Sequence, residues 1–413
     1  MNDQLDPGAQ IDARAAALES KVIGWRRDLH QHPELSNREV RTAGVVAEHL
    51  RALGLKVQTG VAHTGVVGLL DSGRPGPVIA LRADMDALPV TEEVDLPFAS
   101  RTRANFNGQD VGVMHACGHD CHVAILMGVV ELLAVMKQQL AGSIKFIFQP
   151  AEEGPPPGED GGAALMIRQG VLENPKPDVI FGLHVFAGVE AGTIAYRPGP
   201  AMASSDRILV TVTGRQTHGA LPWRGVDPIV ISSQIVLGLQ TIISRQVDVS
   251  LEPAVVSIGA IKGGVRDNII PGIVEMLGTV RTFNEDMRAD IHARIRNTVE
   301  MIARSAGASA QVHFDNAYPV TVNDVSLTER MVPTLQRVAG ADKVFVGQKI
   351  TGYEDFSYYQ QKIPGFFYFL GITPRGTDRK QSAPNHSPRF FVDESALVLG
   401  VRSLAHLTLD CMR

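Results

Sequence analysis

Apolar positions along this chain repeat with two periods, one helical and one extended, and they sort its segments into elements. The stretch from about Ile11 to Leu29 reads as a helix, broken by HQHPELS. Ser36 and Glu39 then stand in the S-x-x-E spacing of a capping box, which predicts a second helix that Gly54 ends. GVVGLLD and PVIALRADMDALPV are apolar runs, and the second is rich enough in Val, Ile and Leu for a buried strand, with Asp84 and Asp86 at its end. Next, CHVAILMGVVELLAVMKQQL sets Val123, Leu126, Val129, Val130, Leu133 and Met136 on an i, i+3, i+4 stripe, predicting an amphipathic helix from near Gly118. SIKFIFQPAEEG is a strand stopped by Pro150, and DVIFGLHVF is another, ending at His184. Buried strands alternating with helices predict an α/β domain with a mostly parallel, mixed sheet. Ligands of such sheets bind beyond the carboxyl ends of the strands, where Asp86, Glu152, Glu153 and His184 fall.

The pattern changes near Asp206. RILVTVTGR alternates as a half-exposed strand, GVDPIVISSQIVLGLQTIISRQV is a helix begun by a proline turn, and AVVSIGAIKGG and GIVEMLGTVRTF are strands. A helix carrying Ile291, Ile295, Val299 and Ile302 and the strand QVHFDN complete a βαββαβ order, the ferredoxin-like split βαβ sandwich. A helix near Leu327 to Val338, the strand PGFFYFLGI and a last helix from about Asp393 follow. The small domain, 206–318, is therefore expected as an insertion into a discontinuous first domain of 1–205 and 319–413.

With 413 residues, 44% of them hydrophobic, the chain is expected to form two domains. Its formal net charge of −5 comes without blocks of like charge or a basic stripe, which argues against nucleic acid or an anionic membrane and for a small-molecule partner. The N-terminal residues have no basic segment followed by an apolar core, no apolar run reaches membrane-span length, and three cysteines make no disulfide framework. A soluble protein of the reducing cytoplasm is expected.

The densest chemistry lies in MHACGHDCH, where His115, Cys117, His119, Asp120, Cys121 and His122 share nine positions. A lone cysteine is usually core, but a C-x-H pair at a helix start is not lone. The free N–H groups and positive dipole end there favour the thiolate that binds metal. Glu152 and Glu153 follow a strand, where successive side chains point oppositely, so one can hold metal while the other faces substrate. A hydrolase using metal-activated water needs that division. Cys117, His119, Glu153, His184 and His386 make five ligands, too many for one four-coordinate zinc with an open position, so two ions are implied. The sequence lacks G-x-S-x-G, H-E-x-x-H and G-x-G-x-x-G, the commonest rival signatures.

RRDLHQHPELS, RADMDALP, MHACGHDCH, QPAEEG, GLHV, THGALPW, RDNIIPG, GYEDFSYY and NHSPRF occur in the order and with the spacing of one family along nearly the whole chain. In them the chain resembles the aminoacylase/carboxypeptidase metallopeptidases, and within these the N-acyl-amino-acid amidohydrolases. The resemblance implies two divalent ions, zinc or manganese, on Cys117, His119, Glu153, His184 and His386, with Glu152 as general base and Asp86 orienting a ligand histidine. Asp84 stands where the wider family usually has a metal-binding histidine, and the C-x-H pair substitutes for it. The inserted domain resembles a lid and dimerisation domain. On that basis His218 polarises the scissile carbonyl across a homodimer, and Asn268 and Arg281 meet the substrate carboxylate. Trp223 departs from relatives that place a second histidine there. The implied reaction is hydrolysis of the amide of an N-acyl amino acid. A dipeptidase or carboxypeptidase with the same site is the alternative, and from another class a metal-binding scaffold without catalysis.

Overall fold

The computed structural model describes residues 6–378 and 381–413, which form two compact units. The first comprises residues up to Gly199, Asn323–Gln348 and Tyr358–Arg413. Its eight-stranded sheet runs in the order Lys56–Val61, Gly65–Asp71, Ser143–Gln149, Val78–Asp84, Val179–Glu190, Gly365–Thr373, Ile194–Tyr196, Val344–Val346. The strands Ser143–Gln149, Val78–Asp84, Val179–Glu190 and Gly365–Thr373 form a parallel centre. Their runs are apolar because both faces are covered: every residue of Gly365–Thr373 is buried. The strand through His184 does not end there but continues to Glu190.

The helix expected from Gly118 spans His119–Val135, yet it is not amphipathic. Every residue from His119 to Val130 is buried, because the helix packs against the sheet and also against the helices Pro7–Gln31 and Leu397–Cys411. A helix covered on all sides needs no polar face.

The capping box is also not formed. Ser36 Oγ donates instead to Asp86 Oδ2 (2.7 Å), and the Glu39 carboxylate accepts from Thr64 Oγ1 and Ala151 N. The helix Val40–Ala52 is capped by Glu34, whose two oxygens accept from Arg41 N (2.9 Å) and Thr42 N (2.8 Å). Glu34→Ala is therefore expected to cost about 1 kcal/mol, read as a lower denaturation midpoint at unchanged slope. Gly54, at φ 77°, ends the turn as expected.

The second unit comprises Pro200–Val322 and Lys349–Ser357. Its sheet, in the order Ala254–Gly263, Ile273–Thr282, Ser205–Thr213, Ser309–Tyr318, is antiparallel throughout. The helices Pro228–Arg245 and Glu285–Ser305 bury Ile231, Ile235, Leu239 and Ile242, and Ile291, Ile295 and Val299, against Ile208, Val210 and Val212. By length and composition Pro228–Arg245 is apolar enough to cross a membrane, but this stripe belongs to the core. The expected boundaries of 206–318 need correction at 349–357. That segment joins the second unit because Ala203 N donates to Ile350 O and Gly352 O, and Tyr353 stacks on Tyr318 with ring centroids 4.3 Å apart.

Candidate metal centre

Gly118 starts the ligand helix at φ 92°, and a side chain there would collide with Val185. Only glycine satisfies both demands, and the tight approach sets Cys117 beside the strand that carries His184. Cys117 Sγ lies 3.4 Å from His184 Nε2 and 3.2 Å from His386 Nε2, which is 3.0 Å from Glu153 Oε1. His386 reaches in from a loop at φ 72°, and its backbone N–H donates to Ala116 O. Asn385 clamps that loop: its amide donates to Cys117 O (3.0 Å) and Val185 O (3.2 Å), and its oxygen accepts from Ala187 N.

His119 Nδ1 donates to Asp86 O (2.8 Å), with Asp86 Oδ1 at 3.2 Å. That contact fixes the tautomer and turns Nε2 inward, where it is buried without a hydrogen-bond partner among the described residues, 3.8 Å from Glu152 Oε2. Asp86 also accepts from Glu152 N and Glu153 N, both at 3.1 Å. Glu152 and Glu153 do not continue the strand with alternating side chains as expected. They sit on a turn after Ala151, whose φ of 52° is left-handed and costs about 1 kcal/mol or more, and the turn sends both carboxylates to His119.

Three overlapping donor groups result: Cys117, His119 and His184; Cys117, Glu153 and His386; His119, Glu152 and Glu153. An orphaned imidazole nitrogen, a sulfur shared by two groups and hard carboxylates fit two divalent ions. The electrostatics agree. Burial, then the Glu153 and Glu152 carboxylates, push the Cys117 thiol well above its ordinary range. The helix start therefore does not by itself favour the thiolate, which needs a cation to compensate. Burial disfavours charge on His119, but Asp84 and Asp86 carry it up to about 10, so a divalent ion bound there would have to displace a held proton. Cys117→Ser is expected to weaken zinc binding by more than about tenfold in a chelator competition, because an alcohol is a poor anionic ligand.

Four other members of MHACGHDCH are drawn elsewhere. His122 Nδ1 donates to Asp84 Oδ1 (2.5 Å) while Nε2 accepts from Val185 N (2.8 Å). Asp120 takes Arg26 Nε (2.9 Å) and His30 Nδ1 (2.8 Å). Cys121 is core, and burial pushes His115 down to about 4, leaving it neutral. Asn385 escaped the sequence reading because its partners Cys117, Val185 and Ala187 lie far along the chain, and the contacts of Asp84 with His122 and of Glu39 with Ala151 escaped it for the same reason.

His218, Asn268 and Arg281 lie in the second unit. His218 is exposed on a short strand paired with Ile269–Ile270, and with Asn268 and Arg266 it lines a pocket of about 530 Å³. Its Nδ1 accepts from Ala220 N (3.0 Å), so the neutral ring carries its proton on Nε2, available to donate. Arg281 is half-buried over the Tyr353 ring at 4.9 Å, with Nη1 buried and unpartnered among the described residues. Trp223 is 73% exposed.

Sulfur, imidazole and carboxylate donors at the carboxyl ends of parallel strands, with one carboxylate beyond those a metal needs, define the class of metal-dependent hydrolases. Within it, the chain belongs to the peptidase family M20/M25/M40, whose model matches residues 80–410. It is 42% identical to thermostable carboxypeptidase 2 of Saccharolobus solfataricus over 95% of each chain, and 38% identical to an N-acetylcysteine deacetylase of Bacillus subtilis over 95% of this chain and 97% of that one. A Bacillus subtilis dinuclear metal-binding peptidase of the M20 family matches its structure with a TM-score of 0.80 at 35% identity, covering 96% of this chain and 99% of that one.

Proposed function

We propose that this protein is a two-metal amidohydrolase that cleaves the amide bond of N-acyl amino acids. The observation that carries the reading is Glu152, whose carboxylate faces His119 while Glu153 serves the Cys117–His386 side of the same cluster. Divalent ions held there would supply the Lewis acidity that polarises an amide carbonyl and acidifies water. Glu152 takes the proton of the attacking water and returns one to the leaving amine. Cys117, His119, Glu153, His184 and His386 hold the ions, and Asp86 keeps His119 in the ligating tautomer. His218 donates Nε2–H to the developing oxyanion. Asn268 and Arg281 receive the substrate carboxylate, to which the buried Nη1 of Arg281, unpartnered among the described residues, can donate. The substrate class is supported by the N-acetylcysteine deacetylase relative, and a carboxypeptidase is the second reading, supported by the 42% identical relative of that name.

The deciding experiment is a turnover screen of N-acetyl, N-benzoyl and N-indoleacetyl amino acids against peptides, with chelator and with zinc or manganese restored. Turnover of N-acyl amino acids that chelator abolishes is the expected result, peptide-only turnover moves the assignment to the second reading, and chelator-resistant turnover rejects the mechanism. We also propose a cytoplasmic setting, consistent with three free cysteines, and no nucleic-acid or membrane partner.

The working unit is proposed to be a homodimer in which the second unit acts as lid and dimerisation domain and His218 serves the neighbouring subunit. Mixing inactive Glu152→Gln and His218→Ala chains under subunit exchange should then return roughly a quarter of wild-type activity, since about half the pairs are mixed with one intact site each, provided that losing the donor costs ~100-fold or more. No recovery with exchange confirmed would leave His218 acting within its own chain.

A further inference from the structure

Three consecutive backbone N–H groups, those of residues 151 to 153, are held by two buried carboxyl groups. Glu152 N and Glu153 N go to the two oxygens of Asp86, each at 3.1 Å, while Ala151 N donates to Glu39 Oε1 at 3.0 Å. Glu39 is fully buried, and its second oxygen accepts from Thr64 Oγ1 at 2.6 Å. Ala151, 1% exposed, holds a φ of 52°. An alanine stays left-handed only where its surroundings over-determine it, and the N–H that Glu39 receives is that of the strained residue itself. Glu39 precedes the helix Val40–Ala52, yet its carboxyl caps none of that helix's N–H groups, and those of Arg41 and Thr42 fall to Glu34. The carboxyl is therefore free for the turn.

We propose that Glu39 is a positioning residue for the metal centre: by holding Ala151 in the left-handed conformation it sets the turn that aims Glu152 and Glu153. The inference rests on the proposed roles of those two glutamates. Asp86 receives the N–H groups of the second and third residues of the turn, and Glu39 that of the first, so the direction in which the chain leaves Pro150 depends on it. What the position requires is a group of glutamate length that meets two donors at once. Glutamine meets the requirement, since its Oε1 accepts from Ala151 N while its amide donates to the Thr64 hydroxyl, which accepts as well as donates. Aspartate keeps the carboxyl group but is a methylene too short to span both.

The test sets geometry against charge. Zinc affinity is measured by competition with a chromophoric chelator on purified wild type, Glu39→Asp and Glu39→Gln, and kcat and KM are measured on the best N-acyl amino acid. Glu39→Asp should lose about 10–100-fold in zinc affinity and in kcat with KM little changed, while Glu39→Gln stays close to wild type in both. A Glu39→Gln variant as impaired as Glu39→Asp, or a Glu39→Asp variant equal to wild type, overturns the proposal. Thr64→Val removes the hydroxyl that anchors Glu39 with little change of shape and should weaken zinc binding in the same direction. Unchanged affinity there overturns the proposal even where Glu39→Asp does not fold. Should wild type hydrolyse no N-acyl amino acid, the functional reading fails while the zinc measurements still decide the role of Glu39.

Discussion

Glu152→Gln is expected to keep its divalent ions and most of its substrate affinity while kcat falls by about 10²–10⁴-fold. The substitution is isosteric, and the Glu152 N–H bond to Asp86 that holds the turn belongs to the backbone, so the geometry survives. What disappears is a group able to accept a proton 3.8 Å from the His119 nitrogen at the heart of the cluster. Glu153→Gln should behave differently, because Glu153 stands against His386 in the donor group with Cys117, and a neutral amide is a weaker ligand than a carboxylate. Metal analysis beside steady-state kinetics separates the two. If Glu152→Gln lost metal and Glu153→Gln kept it while losing kcat, the two roles would have to be exchanged.

Asp84→Ala should be the most destabilising substitution near the site, costing about 3–5 kcal/mol in denaturant unfolding. Asp84 and Arg82 both have fully buried side chains, joined Nη1 to Oδ2 at 2.5 Å, and Arg82 Nε is held by the neutral oxygen of Gln149 at 2.9 Å. Removing the carboxylate takes from the buried guanidinium the acceptor and the negative charge two residues away on its own strand. It also frees His122, which uses Nδ1 on Asp84 and Nε2 on Val185 N, the residue after His184. Zinc affinity should therefore fall together with stability. A loss below about 1 kcal/mol would show that the remaining partners of Arg82 suffice. Asp84 thus carries both a buried ion pair with Arg82 and the hydrogen bond that orients His122.

Local pattern was enough for the architecture. Period-two and continuous apolar runs mark the strands at Val78–Asp84, Ser143–Gln149 and Gly365–Thr373 because burial on both faces is written into the residues themselves. The βαββαβ order was readable for the same reason, as was the placing of Glu152 and Glu153 just beyond a strand end, whereas the strand through His184 runs on to Glu190. The five metal-binding candidates could be named from side-chain chemistry and the family's motifs, and the fold brings all five into overlapping groups.

Tertiary structure decided what each member of a dense motif does. Within nine residues, His119 turns to the candidate metal-donor groups while His122 and Asp120 serve Asp84 and Arg26, and only the strands and the first helix packed around that segment separate the cases. The S-x-x-E spacing of Ser36 and Glu39 is that of a cap, but both side chains are taken by partners far along the chain, at Asp86 and Ala151, and Glu34 caps the helix in their place. The extended period at Glu152 and Glu153 gives way to a left-handed turn, since two buried carboxyl groups gain more by receiving three N–H groups than the backbone loses at Ala151. Propensity and periodicity act within a few residues of one another, whereas a buried polar group must find its partner wherever the fold has placed one. Glu39 and Asp84 are therefore legible only once the strands have been brought together.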